Sequence, residues 1–469
     1  MPESSRIMSA GGEFVRTPQR DGLRFMFIDF NAFFASVEQN DDPSIAGRPT
    51  IVTPLASEHS GAIAASYEAK ALGIGRGTSV KDARALYPDI AIRPARHDRY
   101  VAVHHQLMRE IERHLPILRI CSIDECVCRL DPREAGAEAA RAKARKVKAG
   151  IYENVGPMLR ASIGLSTSAL LAKLAGELVK PDGLTVIDAA DLPDVLADLP
   201  LRAIPGVGEG IHTRLTRAGI TDFTTLWRLA PKHARAIWGS VAGERFLYAL
   251  RGHDVPEQPV PDKKMIGHSR VLSNGYRTPE GARIVARALI LKAASRLRHL
   301  GLHAAAMDVT VKLVPEGALT HEARFRGTQN SWRFLRELDA FWHQMMAAAG
   351  RRSRSSRNLR LKHVSVQFHG LSAGPPLGDL FVSQDDEAHD RREAALWRSI
   401  DRLNARYGMQ KIMLASQQAL DLNYLGVKIA FSRVPDAAEF ADIGGLERVA
   451  GQTVADHERR SQNPARAIY

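Results

Sequence analysis

Cysteine is scarce, three residues in a chain of 469. That leaves no disulfide framework and points to a reducing compartment. Cys121, Cys126 and Cys128 lack a second Cys or His pair at zinc spacing and read as small apolar residues packed in a strand. His299 and His303 form no complete metal set either. No uncharged apolar run approaches the ~18 residues needed to cross a bilayer. The opening MPESSRIMSAGGE lacks the apolar heart of a secretory leader. We therefore expect a cytoplasmic protein with no membrane partner. A Gly-Lys-Ser/Thr phosphate loop is missing, which argues against an ATP-driven helicase or recombinase. No internal repeat recurs at a fixed period.

What is present is an excess of one charge. Lys and Arg number 65 against 52 Asp and Glu, a formal net charge of +13. Such a surplus favours a polyanionic partner, most simply nucleic acid. Hydrophobic residues at 45% and charged residues at 25% match a globular protein. The length suits roughly three to four domains.

Residues 1–22 are polar and aperiodic and read as a flexible N-terminal arm. Phe25-Met26-Phe27-Ile28 is a short apolar run of the kind buried on both faces of a sheet. A helix follows from Ala32, with Asn31 placed to cap it. Strand-like runs at 50–52 and 117–130 alternate with helical ones at 104–114 and 138–152, an α+β core. Residues 192–252 read as helical, with turns at Pro205-Gly206 and Trp238-Gly239. VPEQPVPDKK, residues 255–264, holds three prolines and reads as a linker. Helices at 282–299 and 331–349 and strands at 306–313 and 361–368 then build a small α/β unit. A last helix spans 393–407.

Three carboxylates stand out. Asp29 closes an apolar strand, where an ionised acid is costly without a compensating cation. Asp124-Glu125 interrupts ILRICSIDECVCRL. In a straight strand the two would face opposite ways; a hairpin turning near Asp124 would bring both to its tip. An acid from a neighbouring strand end would complete a cluster needing divalent cations. Each acid taken alone is better explained by a turn or a salt bridge.

The wider pattern is more specific. Asp29-Phe30-Asn31-Ala32-Phe33-Phe34-Ala35-Ser36-Val37-Glu38 resembles the opening motif of family Y DNA polymerases, the DinB/UmuC translesion class. So do Ser66–Ile74, Cys121–Glu125, Ser162–Ser166, Leu171–Ala175 with Lys180–Gly183, and Ile204–Gly208, in the family's order. The resemblance implies a right-hand polymerase with a ferredoxin-like palm (23–34 and 98–190) and small fingers (35–97). A helix-hairpin-helix thumb (191–254), a linker (255–266), a separate α/β little finger (267–370) and a C-terminal extension (371–469) would follow. It implies Asp29, Asp124 and Glu125 as ligands of two Mg²⁺ ions, helped by the Phe30 carbonyl. Phe33 and Phe34 would meet the nucleotide, Phe34 excluding a 2′-hydroxyl, and Tyr67, Lys70 and Lys180 would hold the triphosphate. The partners implied are primer-template DNA, a dNTP and a sliding clamp, with the protein a monomer.

Departures from the family pattern are Asn31 for a second Asp, Lys70 for Arg, and Ser168-Ala169 for Asn-Lys. The Gly206 and Gly208 turn would let backbone N–H groups approach a phosphate. RRSRSSRNLRLK, residues 351–362, carries five arginines and one lysine without an acid. We read Arg351, Arg352, Arg354 and Arg357 as a basic loop for DNA phosphates. Leu377, Leu380 and Phe381 form a degenerate clamp peptide; Gln417–Leu422 is a weaker alternative. Two rival functions remain at this point, a non-catalytic DNA- and clamp-binding adaptor and a metal-dependent nuclease. The retained acids count against the first, and the Phe34 and Tyr67 motifs against the second.

Overall fold

The computed structural model describes residues 5–8, 14–17, 22–54, 57–256, 264–314, 317–352, 359–374, 384–407 and 412–414. The chain divides into two units between residues 258 and 259. Within the expected N-terminal arm, β1 (Ser5–Met8) and β2 (Phe14–Thr17) pair as an antiparallel hairpin.

The first unit is organised around β3 (Phe25–Phe30). Every residue of that strand except Asp29 is buried, because its apolar side chains alternate onto both faces of the sheet and both faces are covered. After the strand come α1 (Phe33–Asp41), β4 (Thr50–Thr53), β5 (Ala64–Ala65), α2 (Tyr67–Ala71), α3 (Val80–Leu86) and β6 (Ala91–Pro94). Strands β5, β4 and β6 form a three-stranded sheet in that order. Its small core holds Ile51, Ile74, Val80 and Ile90. The chain returns through α4 (His97–Glu112), β7 (Ile117–Ile120), β8 (Glu125–Arg129), α5 (Ala137–Asn154), β9 (Ala161–Ser166), α6 (Ala169–Leu178) and β10 (Leu184–Ile187).

The five-stranded sheet runs β10-β9-β3-β8-β7, antiparallel except for the β10·β9 pair. Helix α6 lies directly on β9 and β3. A Cβ at Gly164 would stand 1.9 Å from the Ala172 carbonyl oxygen, so glycine in Ser-Ile-Gly-Leu-Ser is what admits the helix. Four helices follow, α7 (Glu209–Arg217), α8 (Phe223–Arg228), α9 (Pro231–Trp238) and α10 (Ala242–Leu250). They share a core with Leu171 and Leu174 of α6.

The second unit comprises β11 (Met265–Val271), α11 (Pro279–His299), β12 (Leu302–Leu313), β13 (Ala318–Thr328), α12 (Ser331–Arg352), β14 (Leu361–His369), β15 (Ser372–Ala373) and α13 (Gln384–Tyr407). Its antiparallel sheet is ordered β11-β14-β12-β13, with β15 added to β12. Met307, Val309, Val311 and Leu313 alternate into the core with α11 and α12, while Asp308, Thr310 and Lys312 take the other face. The sequence reading had two strands here. It missed β11 and β13, whose places at the sheet margins leave them polar residues such as His268, Ser269, Thr320 and Glu322.

Arg298 joins three elements of this unit. It donates to the Ser331 hydroxyl at 2.8 Å, the Gln329 carbonyl at 3.1 Å and Asp401 of α13 at 3.0 Å. The guanidinium is almost wholly buried, so removing it strands these acceptors. Arg298→Ala should therefore cost about 2–4 kcal/mol, read as a lower urea midpoint in unfolding followed by tryptophan fluorescence.

Candidate active site

Strand β3 pairs with β8 so that Asp29 stands directly opposite Glu125. Like charges in that position destabilise a sheet unless a cation offsets them. The turn at residues 121–124 joins β7 to β8, and the Cys121 and Ser122 N–H groups donate to the Glu125 carbonyl at 2.9 and 3.1 Å. The Phe30 N–H donates to the Asp124 carbonyl at 2.8 Å, which ties the turn to the end of β3. Asp124 accepts a hydrogen bond from the Ser122 hydroxyl.

A fourth acid enters from α6. The carboxylates of Asp29, Glu125 and Glu177 offer ligand atoms within 4.8 Å of one another, and Asp124 is not among them. Its charge nonetheless acts on Asp29. Two lysines sit among the acids. Lys173 Nζ lies 2.8 Å from both oxygens of Glu125. Lys180 Nζ lies 3.0 Å from Asp29 Oδ1 and 2.9 Å from Glu177 Oε1. Burial, aided by the charges of Glu177 and Asp124 and opposed by Lys180, raises the Asp29 carboxyl to about 7. Desolvation and like charge thus outweigh the lysine. This all-oxygen donor set, short of positive charge, fits hard divalent cations.

Sequence reading missed Lys173 and Glu177. A signal was available, since they are the sole charged residues of ALLAKLAGEL and share a face at i, i+4 spacing.

Asn31 corrects an expectation. Helix α1 begins one residue later than a cap at Asn31 requires: its N-cap is Ala32, in the left-handed region at φ 49°, with no side-chain cap. The buried Asn31 amide instead donates to Ser162 Oγ at 3.1 Å and accepts from the Asp182 N–H at 2.7 Å. It fastens the loop after Lys180 to the sheet. That loop is also held by Lys148, 2.8 Å from Asp182, and Arg160, at 3.1 Å. Ser168 is likewise structural: it caps α6 through the Leu171 N–H at 3.1 Å and donates to the Ala249 carbonyl at 2.6 Å.

Tyr67 and Lys70 share the first turns of α2, with Lys70 Nζ 4.1 Å from the Tyr67 ring centre. Burial raises the Tyr67 hydroxyl and lowers the Lys70 ammonium, and both groups feel Lys180, Asp29 and Glu177. These three expected triphosphate groups therefore occupy one electrostatic neighbourhood with the acids. The side chain of Phe33 does not join them. It is 3% exposed and packs between Phe30 and Phe34. Phe34 is half-exposed and stacks on Tyr100, ring centres 4.2 Å apart at 12°. The fully buried Tyr100 donates its hydroxyl to Glu38 at 2.7 Å, and Arg96 grips Glu38 at 2.8–3.1 Å.

Gly206 adopts φ 95° in the turn before α7, a conformation that favours glycine. Gly208 is the N-cap of α7 with no side-chain cap, and a Cβ there would meet nothing within 4 Å. Arg351 and Arg352 end helix α12, so the basic run begins in a helix, not a loop. Arg354 and Arg357, the clamp peptide Leu377, Leu380 and Phe381, and the alternative at 417–422 lie outside the described residues.

The impB/mucB/samB family matches residues 28–177, and its C-terminal domain matches residues 263–380. A solved Y-family DNA polymerase chimera superposes with a TM-score of 0.62 at 21% identity, covering 75% of this chain and 100% of the other. The fold is that of a Y-family polymerase. DNA polymerase IV of Moorella thermoacetica is 32% identical over 413 residues, covering 86% of this chain and 97% of that protein. DNA polymerase IV of Halorhodospira halophila is 36% identical over 293 residues, covering 62% and 80%. The chain belongs to the impB/mucB/samB family.

Proposed function

We propose that the chain is a template-directed DNA polymerase of translesion type, adding deoxynucleotides to a primer 3′ end. The pairing of Asp29 with Glu125, with Asp124 in the adjoining turn close enough for its charge to act on Asp29 and with Tyr67, Lys70 and Lys180 nearby, carries the reading. It is also supported by the DNA polymerase IV relatives. Asp29, Asp124, Glu125 and the Phe30 carbonyl would hold the metal. Two Mg²⁺ ions there would promote ionisation of the primer hydroxyl and neutralise the departing pyrophosphate. Lys180, released from Asp29, would turn its charge to the triphosphate together with Lys70 and Tyr67. Phe34 would stand against the sugar.

For DNA holding, the Gly206–Gly208 turn offers backbone N–H groups to a phosphate. The basic run from Arg351 and Arg352 through Arg354 and Arg357 would track a second stretch of backbone. In this reading residues 23–34 and 98–190 are the palm, 35–97 the fingers, 191–254 the thumb and 267–370 the little finger. Leu377, Leu380 and Phe381 would engage a sliding clamp, and the polymerase would act as a monomer in the cytoplasm. No described helix is long and apolar enough to cross a membrane.

Primer extension with each dNTP, on undamaged and lesion-bearing templates, tests the reading against an Asp124→Asn control. Extension past the lesion that disappears in the control supports it. Shortening of the labelled strand would indicate a nuclease, and DNA binding without extension an adaptor.

A further inference from the structure

His104 lies on α4, outside the motifs that mark the site, and its side chain is fully buried. Its Nδ1 stands 2.8 Å from the carbonyl oxygen of Ile123. A carbonyl only accepts, so Nδ1 must carry the proton. The other ring nitrogen, Nε2, is buried and meets no hydrogen-bond partner among the described residues. Burial pulls the imidazole down to about 4, which keeps it neutral in the working range.

As packing alone this is a poor choice. A buried acceptor left unmet costs stability, and an aliphatic side chain would fill the space without that cost. What the imidazole supplies is a fixed peptide group. Ile123 immediately precedes Asp124, and the next carbonyl, that of Asp124 itself, accepts from the Phe30 N–H at 2.8 Å. The two peptide groups flanking the Asp124 Cα are thus anchored from different elements, one by α4 and one by β3. With both planes restrained, the backbone dihedrals of Asp124 are narrowed, and with them the direction of its Cα–Cβ bond.

We propose that His104 is a positioning residue that fixes the turn carrying Asp124 and so sets how well that acid can hold a metal. The proposal rests on Asp124 being a metal ligand. Loss of a hydrogen bond supporting a ligand costs metal affinity or activity about tenfold or more.

The test compares His104→Leu, which fills the space without a donor, with His104→Asn, whose amide returns a donor near the Nδ1 position. Mg²⁺ is titrated twice for each protein, by the rise in melting temperature and by single-nucleotide extension. For His104→Leu we expect the half-saturating Mg²⁺ concentration to rise about tenfold in both titrations. The metal-free melting temperature should stay close to the parent's, with KM for the dNTP little changed. His104→Asn should recover most of the Mg²⁺ affinity. An unchanged Mg²⁺ requirement in His104→Leu overturns the proposal, as does an Asn variant no better than Leu. Asp124→Asn, run alongside, separates the two failures. If it leaves the Mg²⁺ requirement unaltered, the ligand assignment itself falls; if it raises the requirement while His104→Leu does not, only the role of His104 falls. Should His104→Leu not fold, His104→Ala carries the same comparison.

Discussion

Asp29→Asn should give a protein that melts at a higher temperature than the parent without divalent cations, yet extends no primer. The gain follows from the carboxyl being held near 7 by burial among like charges, against 3.8 for an ordinary Asp. Between those values the unfolded chain has lost its proton while the folded one keeps it. The folded state binds more protons there, so stability falls as pH rises from about 4 to about 7, then levels off. Asparagine resembles the protonated acid and escapes that loss. At pH 8 the variant should be more stable by on the order of 4 kcal/mol, and near pH 4 the difference should nearly vanish. Thermal melts across pH in a chelating buffer decide it; a variant no more stable than the parent at pH 8 refutes the electrostatic account.

Divalent cations should reverse the order. A ligand that binds only the folded form stabilises it by mass action, and on the proposed ligand assignment the parent would have the stronger site. Metal binding must displace a proton from Asp29, so the parent's Mg²⁺ affinity should improve about fivefold from pH 6 to pH 7. Extension should fall at least about a thousandfold in the variant, some 4 kcal/mol of barrier. A site that destabilises its own fold when empty is the usual mark of charges arranged for chemistry.

How much of this was legible in the sequence depended on how locally each feature is determined. Phe25–Ile28 announced a buried strand because its apolar residues are consecutive, and Asp29 stood out at its end. The turn before Glu125 was open in the sequence only as an alternative to one strand over 117–130, suggested because adjacent acids do not sit comfortably inside an apolar strand. Asn31 misled, because its local preference for a helix cap is overridden by Ser162 and Asp182, 131 and 151 residues away. His104 could not be found at all, since its hydrogen bond to Ile123 arises only when α4 packs under the turn. The margin strands β11 and β13 were lost for another reason: a strand at the margin of the described sheet, with polar residues on one face, carries too few apolar residues to declare itself.

Phe34→Ala should raise ribonucleotide incorporation relative to deoxyribonucleotide by about a hundredfold, equivalent to some 2.7 kcal/mol. On the proposed role of Phe34 the discrimination would be steric, comparable to the cost of forcing an extra group into a packed site. A clash of that kind excludes only if the ring cannot swing aside. Tyr100 is placed to oppose that swing: it stacks on Phe34 while its hydroxyl is held by Glu38, which Arg96 grips in turn. Arg96 also reaches Asp41 at 2.8 Å, at the far end of α1, so the start of α4 is fastened to α1 beyond the ring. Tyr100→Leu should accordingly relax sugar selection in the same direction but less, since Phe34 would remain and only its restraint would go. The measurement is the ratio of kcat/KM for a dNTP to that for the matching rNTP in each variant. Equal ratios in parent and Phe34→Ala remove the sugar-facing role. A fall in Phe34→Ala that Tyr100→Leu does not share leaves the ring in place as the barrier but makes its stacking irrelevant to selection.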